Sequence, residues 1–408
     1  MRLLLISLDG LWEKDISSLE KLPYIGALIR RGTICTNVQT VYPALTYPAH
    51  ATILTGCLPK DHGIAHNQPF TPSIPPERKP WYWDADDIKK PTIHQLVHDH
   101  GGKVASILWP VTGKSKYIRW NFPEVLALPG ENQTLKMLRY GTAPWIINTE
   151  LKYGRQRKSI HQPDLDDYAT ILAASLLQSR RPPELLTLHL VDCDEMRHHH
   201  GVNSFEAMEA IRRLDRRVGL VLTALDKMRL GKETIVAIVS DHGLADINEY
   251  VSLDQAIAKA GFAHVCRTQS SGMGAYIHFL KDAQKYCGSV RRFLEENQKM
   301  LRIDGVYGAA ELAQMGAGRD IYLAVEAAPG VAFMDGYANE KHEMATHGFG
   351  PWHPAAKCLF MIAGPGIQQG VRLVTANMED IAPTLMHAIG YRMDGTQGKI
   401  LTESFEKS

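Results

Sequence analysis

Charge of one sign, cysteine pairs and long apolar runs are all scarce in this chain of 408 residues. The 45 Lys and Arg stand against 44 Asp and Glu, a net charge of +1 at pH 7. A nonspecific nucleic-acid binder needs clustered Lys and Arg to neutralise phosphates, and here basic residues come only in short runs such as Arg180-Arg181 and Arg212-Arg213. The 6 cysteines, at positions 35, 57, 193, 266, 287 and 358, form no Cys-x-x-Cys pair, which argues against a zinc ribbon or a disulfide framework and fits a reducing cytoplasm. No stretch approaches the roughly 18 uninterrupted apolar residues of a membrane-spanning helix. The apolar start from Met1 to Leu8 is short, lacks a small-residue cleavage site and ends in Asp9-Gly10, so it reads as a buried strand rather than a secretory leader. A soluble, cytoplasmic protein is the expectation.

The length allows two or three domains, or one large core with an insertion. Short β-branched runs alternate with helical patterns, the signature of an α/β fold whose mostly parallel central sheet carries helices on both faces. Strands are expected at Arg2 to Leu8, Lys103 to Trp109, Leu185 to Val191, Thr234 to Ser240 and Cys358 to Ala363. One helix is especially legible: Asn203 or Ser204 can cap it, and Met208, Ile211, Leu214, Val218, Val221 and Leu225 recur at helical spacing. Residues 251–340 hold two helical patterns and apolar runs at Met273 to Leu280 and Asp320 to Val325, and read as a smaller inserted α/β subdomain; 1–250 and 341–408 then form the catalytic core. Gln68 to Pro91 and Gly130 to Gln162 are expected as loops over a site.

Three expected strands deliver acids at their C-terminal ends: Asp9, Asp194 in Asp192-Cys-Asp194, and Asp241 in Ser240-Asp241-His242-Gly243. In open α/β sheets the ligand crevice lies at that edge, so three acids distant in sequence can meet there. A lone acid after a strand is more often a cap or a turn residue; convergence is what points to metal. Carboxylates with neutral imidazoles suit zinc, or less specifically manganese or iron, and Asp194-x-x-x-His198 can present two ligands from one turn. His347 in Thr346-His347-Gly348 is a further candidate. His199 and His200 read as an exposed run; His50, His62, His66, His94, His98, His100 and His161 read as surface or core histidines. The segment Tyr42-Pro-Ala-Leu-Thr46-Tyr47-Pro48-Ala49-His50 leads into a helical run closed by Gly56, with Pro48 suited to the first turn. Thr46 then sits where free backbone N–H groups and the helix dipole favour an anion such as phosphate. Coordination to a metal lowers a hydroxyl pKa enough to make it a nucleophile at neutral pH.

These motifs, in this order, resemble the alkaline phosphatase superfamily and, within it, the nucleotide pyrophosphatase/phosphodiesterase family. The match runs through Asp9-Gly10, the Thr46 segment, Thr55-Gly56 with Pro59 and His62-Gly63-Ile64, Trp109-Pro110, Asp194 with His198, Ser240-Asp241-His242-Gly243 and His347-Gly348. The resemblance implies two divalent metal ions, zinc first and manganese as the alternative. Asp9, Thr46, Asp241 and His242 would surround one ion; Asp194, His198 and His347 would hold the other. It further implies hydrolysis of a small phosphodiester or nucleotide through a phosphothreonine on Thr46, with Asn67 donating to a phosphate oxygen and Tyr47 stacking on a nucleobase. Tyr153 and Trp145 are the candidates for a second stacking ring. No nucleic-acid polymer or membrane partner is expected. Leu45 and Ala49 depart from the family pattern, which often has a basic or hydroxyl residue and an Asn at these positions.

Three other readings compete. Phosphonoacetate hydrolase has a similar metal set and uses lysines near the substrate carboxylate, for which Lys114 and Lys116 are reminiscent. A phosphomonoesterase would usually show a Ser nucleophile or an Arg for the extra phosphate charge, and neither is found here. A binding module with a dead site would have lost ligands, whereas all seven positions carry suitable residues.

Overall fold

The computed structural model describes residues 1–335 and 343–407. Alternation along its first strand, Arg2–Leu8, sets the layers. Leu4, Ile6 and Leu8 pack in one apolar cluster with Leu172 and Leu176 of the helix Asp164–Leu177 and Leu214 and Val218 of the helix Phe205–Lys227. Leu3 and Leu5 face the opposite cluster, with Ile53 of the helix Thr46–Thr55, Val97 of Ile93–Asp99 and Leu385 of Ile381–Ala388. A strand covered on both faces must be apolar throughout, which is why this run lacks polar alternation.

Nine strands among the described residues form the large sheet, in the order Val371–Leu373, Thr33–Gln39, Lys357–Ala363, Thr234–Val239, Arg2–Leu8, Leu185–Leu190, Val104–Ile107 and Trp120–Phe122, with Ala376–Asn377 also paired to Thr33–Gln39. Every pairing is parallel except those of Lys357–Ala363, which is antiparallel to both neighbours. This is the mostly parallel, doubly covered sheet expected, and all five anticipated strands lie in it. Thr33–Gln39 was not anticipated, because Thr, Asn and Gln break its apolar run; Trp120–Phe122 is too short to show a period. Ser204 caps the long helix, its Oγ accepting the Ala207 N–H at 3.1 Å.

Residues 130–162 differ from the expected loop. They contain the helices Gln133–Tyr140 and Ala143–Tyr153, the first capped by Asn132 Oδ1, which accepts the Leu135 N–H at 3.0 Å. Their period was hidden because the usual burial is inverted: Leu135 and Leu151 are exposed, whereas Lys136 is buried with its ammonium 3.5 Å from the Trp83 ring centroid. Such a cation–π seat can retain a buried lysine stem.

A second, antiparallel sheet runs in the order Ile303–Gly308, Leu323–Ala327, Gly274–Phe279, Cys266–Ser270. Leu253 and Ile257 of one helix and Val290 and Leu294 of another cover it. The 340/341 junction expected between insert and core lies outside the described residues.

Glu326, on the strand Leu323–Ala327, is buried beside Tyr42 and Tyr276, and its Oε2 accepts the Gly350 N–H at 2.9 Å. Burial pushes its carboxyl from the ordinary 4.5 up to about 8. The folded state therefore holds a proton that the unfolded state has released between these values, so stability falls as pH rises through this window. Glu326→Gln should abolish that contribution: its stability relative to wild type, from urea midpoints, should rise from pH 4.5 to pH 8. A pH-independent difference would refute the assignment.

Candidate active site

Strand register brings the acids together. Ser7 lies opposite His189 on one side and Val239 on the other, so the three adjacent parallel strands end at the same edge. The Asp9 N–H donates to the Leu190 carbonyl at 2.9 Å, and the Gly10 N–H to Asp241 Oδ1 at 3.3 Å. Asp194 follows in the first turn of the helix Asp192–His200. Gly10 has φ +74°, and a Cβ there would come 3.0 Å from Asp194 Cα, so only glycine lets these two segments close. His347 follows the strand Ala345–Thr346; the next residue, Gly348, has φ +84°, and a Cβ there would fall 1.6 Å from the Ser271 carbonyl oxygen. The His347 Nδ1–H donates to the Ala44 carbonyl at 3.0 Å, which leaves Nε2 with the lone pair.

Ligand atoms of Asp9, Asp241 and His242 lie within 4.8 Å of one another, as do those of Asp194, His242 and His347. His242 belongs to both sets, and its ring stacks on His347 at 3.8 Å. His198 stands beside them, with Nε2 3.4 Å from Asp194 Oδ2 and Nδ1 3.1 Å from Glu343 Oε2. Thr46 opens the helix Thr46–Thr55 after an extended Leu45, and its Oγ1 lies 3.2 Å from His242 Nε2. All seven expected ligand positions are thus neighbours, although distant in sequence.

Each acid has one oxygen engaged and one orphaned. Asp9 Oδ2 faces His189, Asp241 Oδ1 faces Gly10 and Asp194 Oδ2 faces His198, while Asp9 Oδ1, Asp241 Oδ2 and Asp194 Oδ1 are buried without a hydrogen bond. Burial first, then the charges of Asp241 and Asp194, raise the Asp9 carboxyl well above its ordinary range. Asp194 is pushed up to about 6 by burial, against the opposing pull of His198. His242 and His347 are held well below the ordinary imidazole value, chiefly by burial. Neutral imidazoles and orphaned carboxylate oxygens form a donor set that fits divalent cations and would be costly without them.

A cleft of about 540 Å³ opens onto this edge, lined by Leu45, Asn67, Trp81, Ser271, His347 and others. Asn67 Oδ1 accepts the Tyr47 N–H at 3.0 Å, so its Nδ2 hydrogens remain for an acceptor. One of the helix N–H groups expected to face an anion is therefore used by Asn67 instead.

Several expectations are corrected. Tyr47 does not present its ring for stacking: it is 1% exposed, packs edge-on against Trp81 at 5.1 Å and donates its hydroxyl to Glu124 Oε1 at 3.2 Å. Trp145 and Tyr153 pack against the sheet from the helix Ala143–Tyr153 and do not line the cleft. Lys114 is tied to Asp84 Oδ2 at 2.5 Å, and Lys116 lines a separate cavity with His94 and Tyr117. His50, read only as a surface or core histidine, is a core residue that ties site elements together: Nδ1 donates to the Thr46 carbonyl at 2.7 Å, and Nε2 lies 2.8 Å from Ser7 Oγ. His189 was missed. The available signal was a lone polar ring in the fully buried run Leu-Leu-Thr-Leu-His-Leu.

With this geometry in place, comparison with known proteins is direct. The family model described as type I phosphodiesterase / nucleotide pyrophosphatase matches residues 3–349. Ectonucleotide pyrophosphatase/phosphodiesterase family member 1 of Mus musculus is 26% identical over 268 residues, 62% of this chain and 25% of that protein. The chain thus spans about a quarter of the length of the first curated relatives it matches. Bis(5'-adenosyl)-triphosphatase enpp4 of Mus musculus is 23% identical over 418 aligned residues, covering 98% of this chain and 80% of that protein. Human ectonucleotide pyrophosphatase / phosphodiesterase 5 superposes with a TM-score of 0.74 at 20% identity over 100% of both chains. An inactive form of the murine protein of that name, solved in complex with AMP, superposes at 0.72 with 17% identity over 98% of this chain and 97% of that one. The fold is alkaline phosphatase-like, and the chain belongs to the type I phosphodiesterase / nucleotide pyrophosphatase family.

Proposed function

We propose that this protein hydrolyses phosphodiester or phosphoanhydride bonds of small nucleotides or related diesters, with Thr46 as nucleophile at a two-metal centre. The observation that carries the reading is the 3.2 Å approach of Thr46 Oγ1 to His242 Nε2, where the two donor sets meet. Asp9, Thr46, Asp241 and His242 would hold one ion and Asp194, His198 and His347 the other, with zinc preferred on the donor types and manganese as the alternative. When bound there, such ions would supply positive charge for an in-line displacement and lower the pKa of a nearby hydroxyl or water. Thr46 would give up its hydroxyl proton to solvent and its Oγ1 would form the new P–O bond as the bond to the leaving oxygen breaks, that oxygen taking a proton from water; a second water would then cleave the phosphothreonine, releasing the phosphoryl product and restoring the hydroxyl. Asn67 Nδ2 donates to an equatorial phosphate oxygen. His50, by holding the Thr46 carbonyl, keeps the first helical turn fixed during the attack.

A small nucleotide substrate is supported by the AMP in the murine relative's complex and by the dinucleotide named in the triphosphatase relative. The phosphonoacetate reading is weakened, since neither Lys114 nor Lys116 lines the cleft. Assignment of 1–250 with 341–408 to the catalytic core and 251–340 to an inserted unit belongs to the same proposal. So does a cytoplasmic location, which the 6 free cysteines support.

Purified protein should carry about two zinc ions, and a divalent cation at about 100 times its Kd should stabilise the stripped protein by ~2.7 kcal/mol. Calorimetry with and without chelator checks this; an unchanged midpoint counts against the metal centre. Thr46→Ala should lose turnover by ~10⁴-fold or more while still binding metal. Asn67→Ala should lose on the order of 10²-fold with metals retained. Bis(p-nitrophenyl) phosphate should be cleaved faster than the monoester, and the reverse order would favour a phosphomonoesterase.

A further inference from the structure

Beneath the site, a chain of hydrogen bonds runs from the residue after Thr46 back to Asp9. Tyr47 Oη donates to Glu124 Oε1 at 3.2 Å, and Glu124 Oε2 lies 3.2 Å from His189 Nδ1. His189 Nδ1 is also 3.0 Å from the Leu108 carbonyl, and Nε2 is 2.9 Å from Asp9 Oδ2. A carbonyl only accepts, so Nδ1 carries a hydrogen; the ring lies between the Glu124 and Asp9 carboxylates, so Nε2 carries one as well and donates to Asp9 Oδ2, which sets the ring orientation. Leu108 turns this carbonyl inward by adopting φ 54°, a left-handed conformation uncommon outside glycine. The ring itself is fully buried, its centroid 4.3 Å from that of the tilted His50 ring.

The consequence falls on Asp9. Its Oδ2 is taken by His189, while Oδ1 makes no hydrogen bond and lies 3.6 Å from His242 Nε2. A free carboxylate can swing either oxygen, or both, toward a cation; this one can present only Oδ1. We propose that His189, backed by Glu124, is a positioning residue that makes Asp9 a one-oxygen ligand. This rests on the reading of Asp9 as a metal ligand. Groups that orient a ligand in this way typically contribute 10–100-fold in metal affinity.

The test uses the full chain as His189→Leu, His189→Gln and Glu124→Gln. Glutamine places an amide nitrogen near the imidazole Nε2 position and keeps a donor for Asp9 Oδ2; leucine removes it. Zinc affinity is measured by chelator competition, beside kcat and KM for bis(p-nitrophenyl) phosphate and thermal midpoints of the stripped proteins. His189→Leu is expected to weaken one of two ions by ~10–100-fold and to lower kcat more than KM changes. His189→Gln should restore most of both losses, and Glu124→Gln should weaken the same ion by a smaller factor. Unchanged affinity in the leucine variant, or equal losses in the leucine and glutamine variants, overturns the proposal, because a purely structural residue would lower stability without affecting one ion selectively. If His189→Leu does not fold, Glu124→Gln decides, and unchanged affinity there overturns it. Wild-type protein that takes up no zinc fails the two-metal reading itself, a result seen before any variant is compared.

Discussion

Three carboxylates buried at the ends of three adjacent strands are the constraint around which the rest of this structure is arranged. Two unit charges about 4 Å apart repel by ~4 kcal/mol even at an effective dielectric of 20. Asp9 and Asp241 are fully buried within 4.8 Å of each other, and Asp194 is buried beside them, next to His347 in the cleft lining. What makes the arrangement tenable is an asymmetric division of each carboxylate. One oxygen is fixed by the protein, through His189, His198 or the Gly10 N–H, and the other is left for an ion. The protein thus stores unmet electrostatic demand in a defined geometry, the condition under which a cation is both bound and oriented.

The element that carries Asp194 and His198 is held with similar care. Asp166 accepts the Val191 and Asp192 N–H groups at 3.2 and 3.0 Å, so it caps the start of the helix Asp192–His200 from below. Asp192 is in turn gripped by Arg213 and Arg217, both from the long helix Phe205–Lys227. On the other side Arg197 is fully buried between the Gly10 carbonyl and Asp15, whose Oδ1 it meets at 2.6 Å. Removing one partner from such a buried network strands a charge. The helix is therefore fixed to the sheet edge by ionic contacts at its start and midpoint, not by its own short apolar face.

How much of this was legible follows from where information sits in a sequence. Asp9, Asp194 and Asp241 could be read because each ends an apolar run, and run length fixes where a strand stops. His50 and His189 could not be assigned partners, because these contacts join residues 43 and 180 positions away. Tyr47 was misread for a related reason. An aromatic beside a nucleophile can face the cleft or the core, and only Glu124, 77 residues on, decides for the core. The helices within 130–162 were hidden because exposed leucines and a buried lysine invert the usual pattern. For the two histidines and Tyr47 the missing information was a long-range polar contact, to which hydrophobic period is blind.

The same distinction separates the candidate ligands from the cleft walls. The three buried acids sit at the large sheet's edge or on the segment that follows it, where strand register leaves little freedom. The cleft walls come from elsewhere: Gln68, Glu77, Lys79 and Trp81 belong to the irregular stretch 68–91, and Ser270, Ser271 and Gly272 to the edge of the second sheet. Lys79 and Asp335 bridge these two walls at 3.4 Å, and Asp335 Oδ1 also accepts the Ser270 N–H at 2.8 Å. Loops on a rigid scaffold can change without disturbing a buried ion site. In this chain those walls meet where the second sheet approaches the 68–91 segment, apart from the sheet edge that carries the three buried acids.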